Sequence, residues 1–256
     1  MLAKRIIPTL LIRGHQLVKG RQFKSWRSVG VAEQAARIYA KRGVDELLIL
    51  DVRATPEGRC PDFAMVERMT EGNFCPVSVG GGVRSIEVVR DLLLSGADKV
   101  VIGSYLLTHR FLREVSQKYG SQCITGSIDY SGAQYFTNCG NTSCNVYEDG
   151  IRPEKILSIV ELCMRTAEHG AGEIILTSID RDGMMQGYDL DMIRAVSDAV
   201  DIPVIASGGC GSYEHMYEAI TAGASAVAAS SLFLFTEATP RGAAEYLNQR
   251  GITCRI

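Results

Sequence analysis

The sequence lacks the marks of several broad protein classes. No apolar run approaches the roughly 18 residues a membrane span needs. Charge of neither sign dominates: 27 basic residues face 29 acidic ones, for a net charge of −2. A nucleic-acid partner is therefore not expected. There is no Cys-x-x-Cys pair, although eight cysteines are scattered at 60, 75, 123, 139, 144, 163, 210 and 254. That scatter reads as reduced thiols and not as a disulfide or zinc framework. Cys139 and Cys144 are near enough to pair or to share a metal, but no histidine is close by, and a plain loop is expected there. No metal or cofactor is predicted. The opening stretch, MLAKRIIPTLLIRG, has only a short apolar run, broken by Pro8. It reads as a strand and not as a signal peptide, so a cytoplasmic location is expected.

What the chain does have is alternation. Short apolar, β-rich runs fall at 5–11, 46–51, 76–80, 98–103, 123–129, 173–178, 202–207 and 225–230. Amphipathic stretches separate them, such as VAEQAARIYAKR at 31–42 and RPEKILSIVELCMRTAEH at 152–169. Eight strands with helices between them predict an α/β fold. It is a single (β/α)8 barrel, a TIM barrel, spanning 1–256. The chain also repeats itself. DELLIL at 45 and GEIILT at 172 lie 127 residues apart. The same shift carries CPVSVGGG at 75 to IPVIASGG at 202, and GADKVVIGS at 96 to GASAVAASS at 223. One register held over three strands predicts two related half-barrels, about 1–120 and 121–256.

Four strand ends invite attention. VGGGVRS (79–85) and SGGCGS (207–212) each end a strand and open a helix, as do GSYLL (103–107) and SSLFL (230–234). Glycine admits close backbone approach, and helix N-terminal amides favour an anion. These turns, around Gly81–Gly82, Gly103–Ser104, Gly208–Gly209 and Ala229–Ser230, predict two phosphate cradles and an elongated, doubly phosphorylated small-molecule ligand. The alternative is four tight turns that bind nothing. Cys210 inside GGCG does not complete a nucleophile elbow, because residue 212 is Ser; it reads as a small turn residue. The polar, aromatic segment 130–151 is long for a loop in a compact domain and would lie at the C-terminal face, where barrel active sites sit. At the opposite face Arg5, Glu46, Lys99 and Glu173 each immediately precede an apolar strand run. A ring of these four is either a stabilising salt-bridge girdle or a gate.

These motifs together resemble one family, the cyclase subunit of imidazole glycerol phosphate synthase. The likeness rests on MLAKRIIP (1–8), LVKG.QFK (17–24), VGGGVRS, GADKVVI (96–102), IASGG (205–209) and above all GAGEIILTSIDRDG...GYD (170–189). The family resemblance implies a lyase of histidine biosynthesis. A separate class I glutaminase makes ammonia, and the barrel conducts it to a doubly phosphorylated ribonucleotide. By position, Asp129 matches one catalytic aspartate and Lys19 the residue of the strand-1 loop. Gly82, Gly103 and Ser104 match one phosphate side; an asparagine is commoner where Gly103 stands. Asp182, Gly183, Gly209, Ala229 and Ser230 match the other, and Thr177 and Ser207 match polar positions of the mouth. Arg5, Glu46, Lys99 and Glu173 match the ammonia gate, and Asp98 a glutaminase-docking position.

One position departs from the pattern. Leu11 stands where the family has its strand-1 catalytic aspartate. A leucine can neither give nor take a proton, so the resemblance leaves enzymatic activity open. The departure resembles a paralogous branch that supplies ammonia, through a glutaminase and a sugar-amidating synthase, to bacterial surface-sugar assembly. Two other readings stand beside it: the histidine-pathway cyclase itself, and another phosphosugar barrel such as the sister isomerase, which also depends on aspartates at strands 1 and 5.

Overall fold

A computed structural model of the chain describes residues 3–136 and 158–255. Eight parallel strands close into a barrel: β1 (Arg5–Arg13), β4 (Leu47–Asp51), β5 (Val77–Gly80), β6 (Lys99–Ile102), β7 (Ile124–Ser131), β9 (Glu173–Ser178), β10 (Val204–Ser207) and β11 (Ala226–Ala229). Pairing of β11 with β1, Arg5 opposite Ala226 through Pro8 opposite Ala229, completes the circle and leaves no barrel edge. The strands coincide with the predicted runs to within a residue or two.

Side-chain alternation explains the layering. On β1 the residues Ile6, Leu10 and Ile12 face the helices, whereas Arg5, Ile7, Thr9 and Leu11 face the barrel axis. The same period puts Glu173, Ile175 and Thr177 of β9 inward, with Ile174 and Leu176 outward. The larger core therefore lies between the strands and an outer coat of helices. A smaller one, Ile7, Leu48, Val101, Ile175, Ile205, Ala226 and Ala228, fills the barrel itself.

The helices start where the sequence supplies caps. Ser85 accepts from the Val88 amide at the head of α3 (Ile86–Leu94), and Ser212 accepts from the His215 amide at the head of α7 (Tyr213–Thr221). Asp62 and Asp189 cap α2 (Phe63–Thr70) and α6 (Leu190–Ala199) in the same way. Ser158 and Glu161 form a reciprocal capping box at α5 (Ile159–Glu168). Of the predicted helix at 152–169, residues 152–157 lie outside the described residues. The helix expected at 31–42 is α1 (Ala32–Lys41). After β11 come two helices, α8 (Ser231–Phe235) and α9 (Pro240–Gln249).

Two hairpins were not expected. The stretch after β1 is an antiparallel pair, β2 (Gln16–Arg21) and β3 (Lys24–Val31), laid on β1 through Ile12 opposite Leu17. Its buried residues, Leu17, Val18, Lys19 and Gly20, are consecutive, so it shows no strand alternation in the sequence. Its tip is bent through Gln22, Phe23 and Ser25 at φ 50°, 58° and 53°, which non-glycine residues adopt only under tertiary constraint. The second hairpin joins β7 to β8 (Gln134–Tyr135) and takes up the start of the 130–151 segment. Residues 137–151, with Cys139 and Cys144, lie outside the described residues. No helix among the described residues is long and apolar enough to cross a membrane.

Candidate functional site

The C-terminal strand ends surround a cavity of about 460 Å³. Every mouth residue singled out in the sequence lines it: Leu11, Lys19, Gly81, Gly82, Gly103, Ser104, Asp129, Thr177, Asp182, Gly183, Ser207, Gly208, Gly209, Ala229 and Ser230. The glycine pairs at 81–82 and 208–209 all have positive φ: 109° and 70°, then 85° and 108°. A Cβ at Gly81 would run into the Asp51 carbonyl oxygen, and one at Gly209 into that of Gly187. Both turns therefore require glycine for close packing against a neighbouring strand end or loop, whether or not a ligand is present.

Asp129 sits on the inner face of β7. Burial pushes its carboxyl up to about 6, hydrogen bonds from Thr177 and Ser127 offset part of that rise, and the Asp182 charge adds to it. The Ser127 hydroxyl donates to Asp129 Oδ1 at 3.4 Å. A group so placed can take or give a proton near neutrality. Across the mouth Leu11 is 8% exposed and offers only methyl groups. Lys19 reaches in from β2 and pairs with Asp182 Oδ1 at 2.7 Å, its side chain only 3% exposed. Three buried oxygens on the cavity wall have no hydrogen-bond partner among the described residues: Thr9 Oγ1, Asp182 Oδ2 and Ser230 Oγ.

The β2–β3 hairpin lies across the mouth and is tied to the loop after β9. The Gln22 amide donates to the Asp182 carbonyl oxygen at 2.9 Å, and Gln22 Nε2 to that of Asp180 at 3.0 Å. Asp180 also accepts from Ser131 Oγ at 2.7 Å and the Gly132 amide at 2.8 Å, which together hold its pKa below the ordinary value. One loop thus secures both hairpins. Phe23, Trp26 and Phe136 meet over the cavity, with Phe23 edge-on to Phe136 at 6.4 Å.

At the opposite face the four charged residues form a closed ring. Arg5 bonds Glu46 and, at 2.7 Å, Glu173; Lys99 bonds Glu46 at 3.1 Å and Glu173 at 2.7 Å. Ser78 and Thr125 donate to the two glutamates at 2.6 and 3.0 Å. Burial works against the Glu173 carboxylate, but Arg5 and Lys99 outweigh it and hold its pKa below the ordinary value. Above the ring the barrel is apolar up to Thr9. Asp98 is exposed beside this face, its Oδ2 accepting from the Val77 amide at 2.8 Å, so part of its role is to fix the start of β5.

Several mouth residues escaped sequence reasoning. Tyr135 donates its hydroxyl to the Gly103 carbonyl oxygen at 2.9 Å, beside the position vacated by the commoner asparagine. Burial, then the Asp129 charge, raises its pKa well above the ordinary phenol value. Thr55, which accepts from the Gly82 amide at 3.0 Å, and Arg84 also line the cavity. Only Thr9 left a trace, through its alternation with Arg5, Ile7 and Leu11. Cys210 lines the cavity as a buried thiol pushed up to about 11 by burial, so it is protonated at neutral pH. Among the described residues no group of three or more His, Cys, Asp or Glu is placed to hold a metal ion.

One comparison with known proteins bears on this arrangement. A family model described as "Histidine biosynthesis protein" matches residues 5–239. The match spans every strand of the barrel and both glycine turns of the mouth. The chain belongs to the histidine biosynthesis protein family.

Proposed function

We propose that this chain is the ammonia-conducting barrel of a glutamine amidotransferase complex. Its partner is a separate class I glutaminase docked on the Arg5–Glu46–Lys99–Glu173 face beside Asp98. The ammonia serves a synthase step, nucleotide-sugar amidation, in the cytoplasm. The observation that carries the reading is the order of layers along the barrel axis. A charged ring at the floor is followed by an apolar interior and then by a polar mouth that has Leu11 in place of an acid. An uncharged molecule can cross such a layer, whereas an ion is heavily penalised there. A barrel with Leu11 opposite Asp129, and with Asp182 and Asp51 already paired to Lys19 and Arg59, is a poor catalyst for ring closure that needs two proton transfers.

Asp129, held near pH 6, favours a second reading, the histidine-pathway cyclase. The two separate in one assay. Ribonucleotide consumption is followed with ammonium salt as the nitrogen source, for the natural chain and for Leu11→Asp. Loss of one general acid or base lowers turnover on the order of 10²–10⁴-fold. The natural chain is therefore expected to be nearly silent and Leu11→Asp to recover rate. Turnover of the natural chain at about 1 per second or faster establishes the cyclase instead. The partner is tested by co-expression with a class I glutaminase and gel filtration. Association weakened by Asp98→Ala is expected, and no association removes the partner from the proposal.

A further inference from the structure

The β2–β3 hairpin concentrates positive charge at the rim of the mouth. From Arg13 to Val31 the chain holds five basic residues and no Asp or Glu, although the whole chain carries −2. Lys19 is spent on Asp182. Arg13, Arg21, Lys24 and Arg27 are exposed, and none of them has an ion pair among the described residues. Arg21 stands directly opposite Lys24 across the hairpin. Like charges so placed repel each other, and no carboxylate of the described residues offsets them.

Aromatic rings run alongside these charges. Phe136 meets Phe23 at 6.4 Å, and Phe23 meets Trp26 at 6.5 Å. The Arg27 guanidinium lies 4.6 Å from the centre of the Phe235 ring. Phe136 and Phe235 are 44% and 42% exposed. The row follows the opening itself, since Phe23, Trp26 and Phe136 line the cavity. Exposed aromatic and arginine side chains in one patch are the composition of a protein interface. Uncompensated cations beside them select an acidic counterpart.

We infer that the rim of the mouth is a docking surface for the protein that consumes the ammonia. That protein meets Arg21, Lys24 and Arg27 with carboxylates and packs on Phe136 and Phe235. The inference rests on the conduit reading above. Ammonia released into water at neutral pH is almost all protonated, and ammonium has no lone pair with which to attack. A conduit that ends at this mouth therefore needs its acceptor seated over the opening. The hairpin suits that contact because Lys19 and Gln22 already fix it to the loop after β9, so little order has to be gained on docking. A lipid surface fits less well. Membrane-seeking rings sink into the acyl boundary, whereas Phe23 and Trp26 turn into the cavity.

The probe is the purified nucleotide-sugar amidating synthase of the proposed complex, titrated into the full chain by calorimetry. Binding is expected, weakening as salt rises from about 50 to about 500 mM. Arg21→Glu combined with Lys24→Glu is expected to weaken it about tenfold or more. The charge-keeping exchange, Arg21→Lys with Lys24→Arg, is expected to bind as the natural chain does. Equal urea midpoints show that the barrel is intact in both. In the full complex the charge reversal should lower glutamine-dependent amidation about tenfold and leave amidation from ammonium salt unchanged. Glutaminase binding at the floor should not respond to it. Loss of glutaminase association thus removes the conduit reading, whereas the docking surface fails on results at the rim. Three such results overturn it: a synthase that does not bind the natural chain, one that binds the charge-reversed chain as tightly, and binding to phosphatidylserine vesicles that the reversal abolishes. The last would assign the rim to a membrane instead.

Discussion

Asp129→Asn probes the mouth through its effect on stability. The native carboxyl is raised from 3.8 to about 6, chiefly by burial. Between those two pH values the folded chain keeps a proton that the unfolded chain has released. The stability associated with this group is therefore greatest in acid and declines as pH rises from about 4 to about 6. Above that both states are ionised and the penalty is constant. At about 1.4 kcal/mol per pH unit the gap amounts to about 3 kcal/mol. Asparagine cannot ionise, yet its side-chain oxygen can still accept from Ser127 and Thr177. The variant should match the natural chain near pH 4 and exceed its stability by up to about 3 kcal/mol at pH 7–8. Urea unfolding of both chains at half-unit pH intervals measures the difference directly, and every other titrating group cancels in the comparison. A difference that stays flat across the series, or a loss at neutral pH, would refute the reasoning. It would mean that the carboxylate is well solvated or fully bonded where it sits.

Other perturbations follow from contacts described above. Arg5→Ala leaves Glu46 and Glu173 to share Lys99, and a destabilisation of about 3–5 kcal/mol is expected in denaturant titrations. Asp180→Ala removes the carboxylate that holds Ser131 and Gly132, and so frees the β7–β8 hairpin from the loop after β9 (Glu173–Ser178), whereas the Gln22 bonds to backbone carbonyl oxygens remain. Limited proteolysis should then cut within 131–135 sooner and leave 16–31 unchanged, with little change in the global unfolding midpoint. Gly208→Ala forces a Cβ against the Ser178 carbonyl oxygen at positive φ. It should cost more than about 1 kcal/mol, in contrast to the near-neutral outcome expected for Gly30→Ala, which has open space around it and no positive φ.

The barrel was readable from the sequence because its signal is local. Runs such as LLIL and VVIG identify buried strands, and Ser85 and Ser212 announce the helices after them. The four ring residues were legible for the same reason: each stands one step before an apolar run, so alternation alone puts it inward at the floor. The mouth glycines were legible because tight strand-to-helix turns have few other solutions. What escaped depends on distant partners. Lys19 and Asp182 are 163 residues apart, and nothing near either one names the other. The β2–β3 hairpin (Gln16–Arg21 with Lys24–Val31) hides its strands because its buried residues are consecutive. Tyr135 looked like part of a long polar loop, since its place over Gly103 is set by the β7–β8 turn. Arg59 and Arg84 are similar residues in the sequence, and only the contact with Asp51 shows which of them is already neutralised.

The apolar filling of the barrel has an energetic consequence for its two ends. Thr125 at the floor and Asp129 at the mouth are four residues apart on one strand, about 13 Å at 3.3 Å per residue. None of the side chains in that gap can ionise, and the Ser127 hydroxyl there bonds to Asp129 at the mouth, so each end relaxes around its own partners. The free-energy effects of Arg5→Ala and Asp129→Asn should then sum in the double variant to within about 0.5 kcal/mol. Any larger departure from that sum is an interaction energy, and its size is the strength with which the floor of the barrel communicates its state to the mouth.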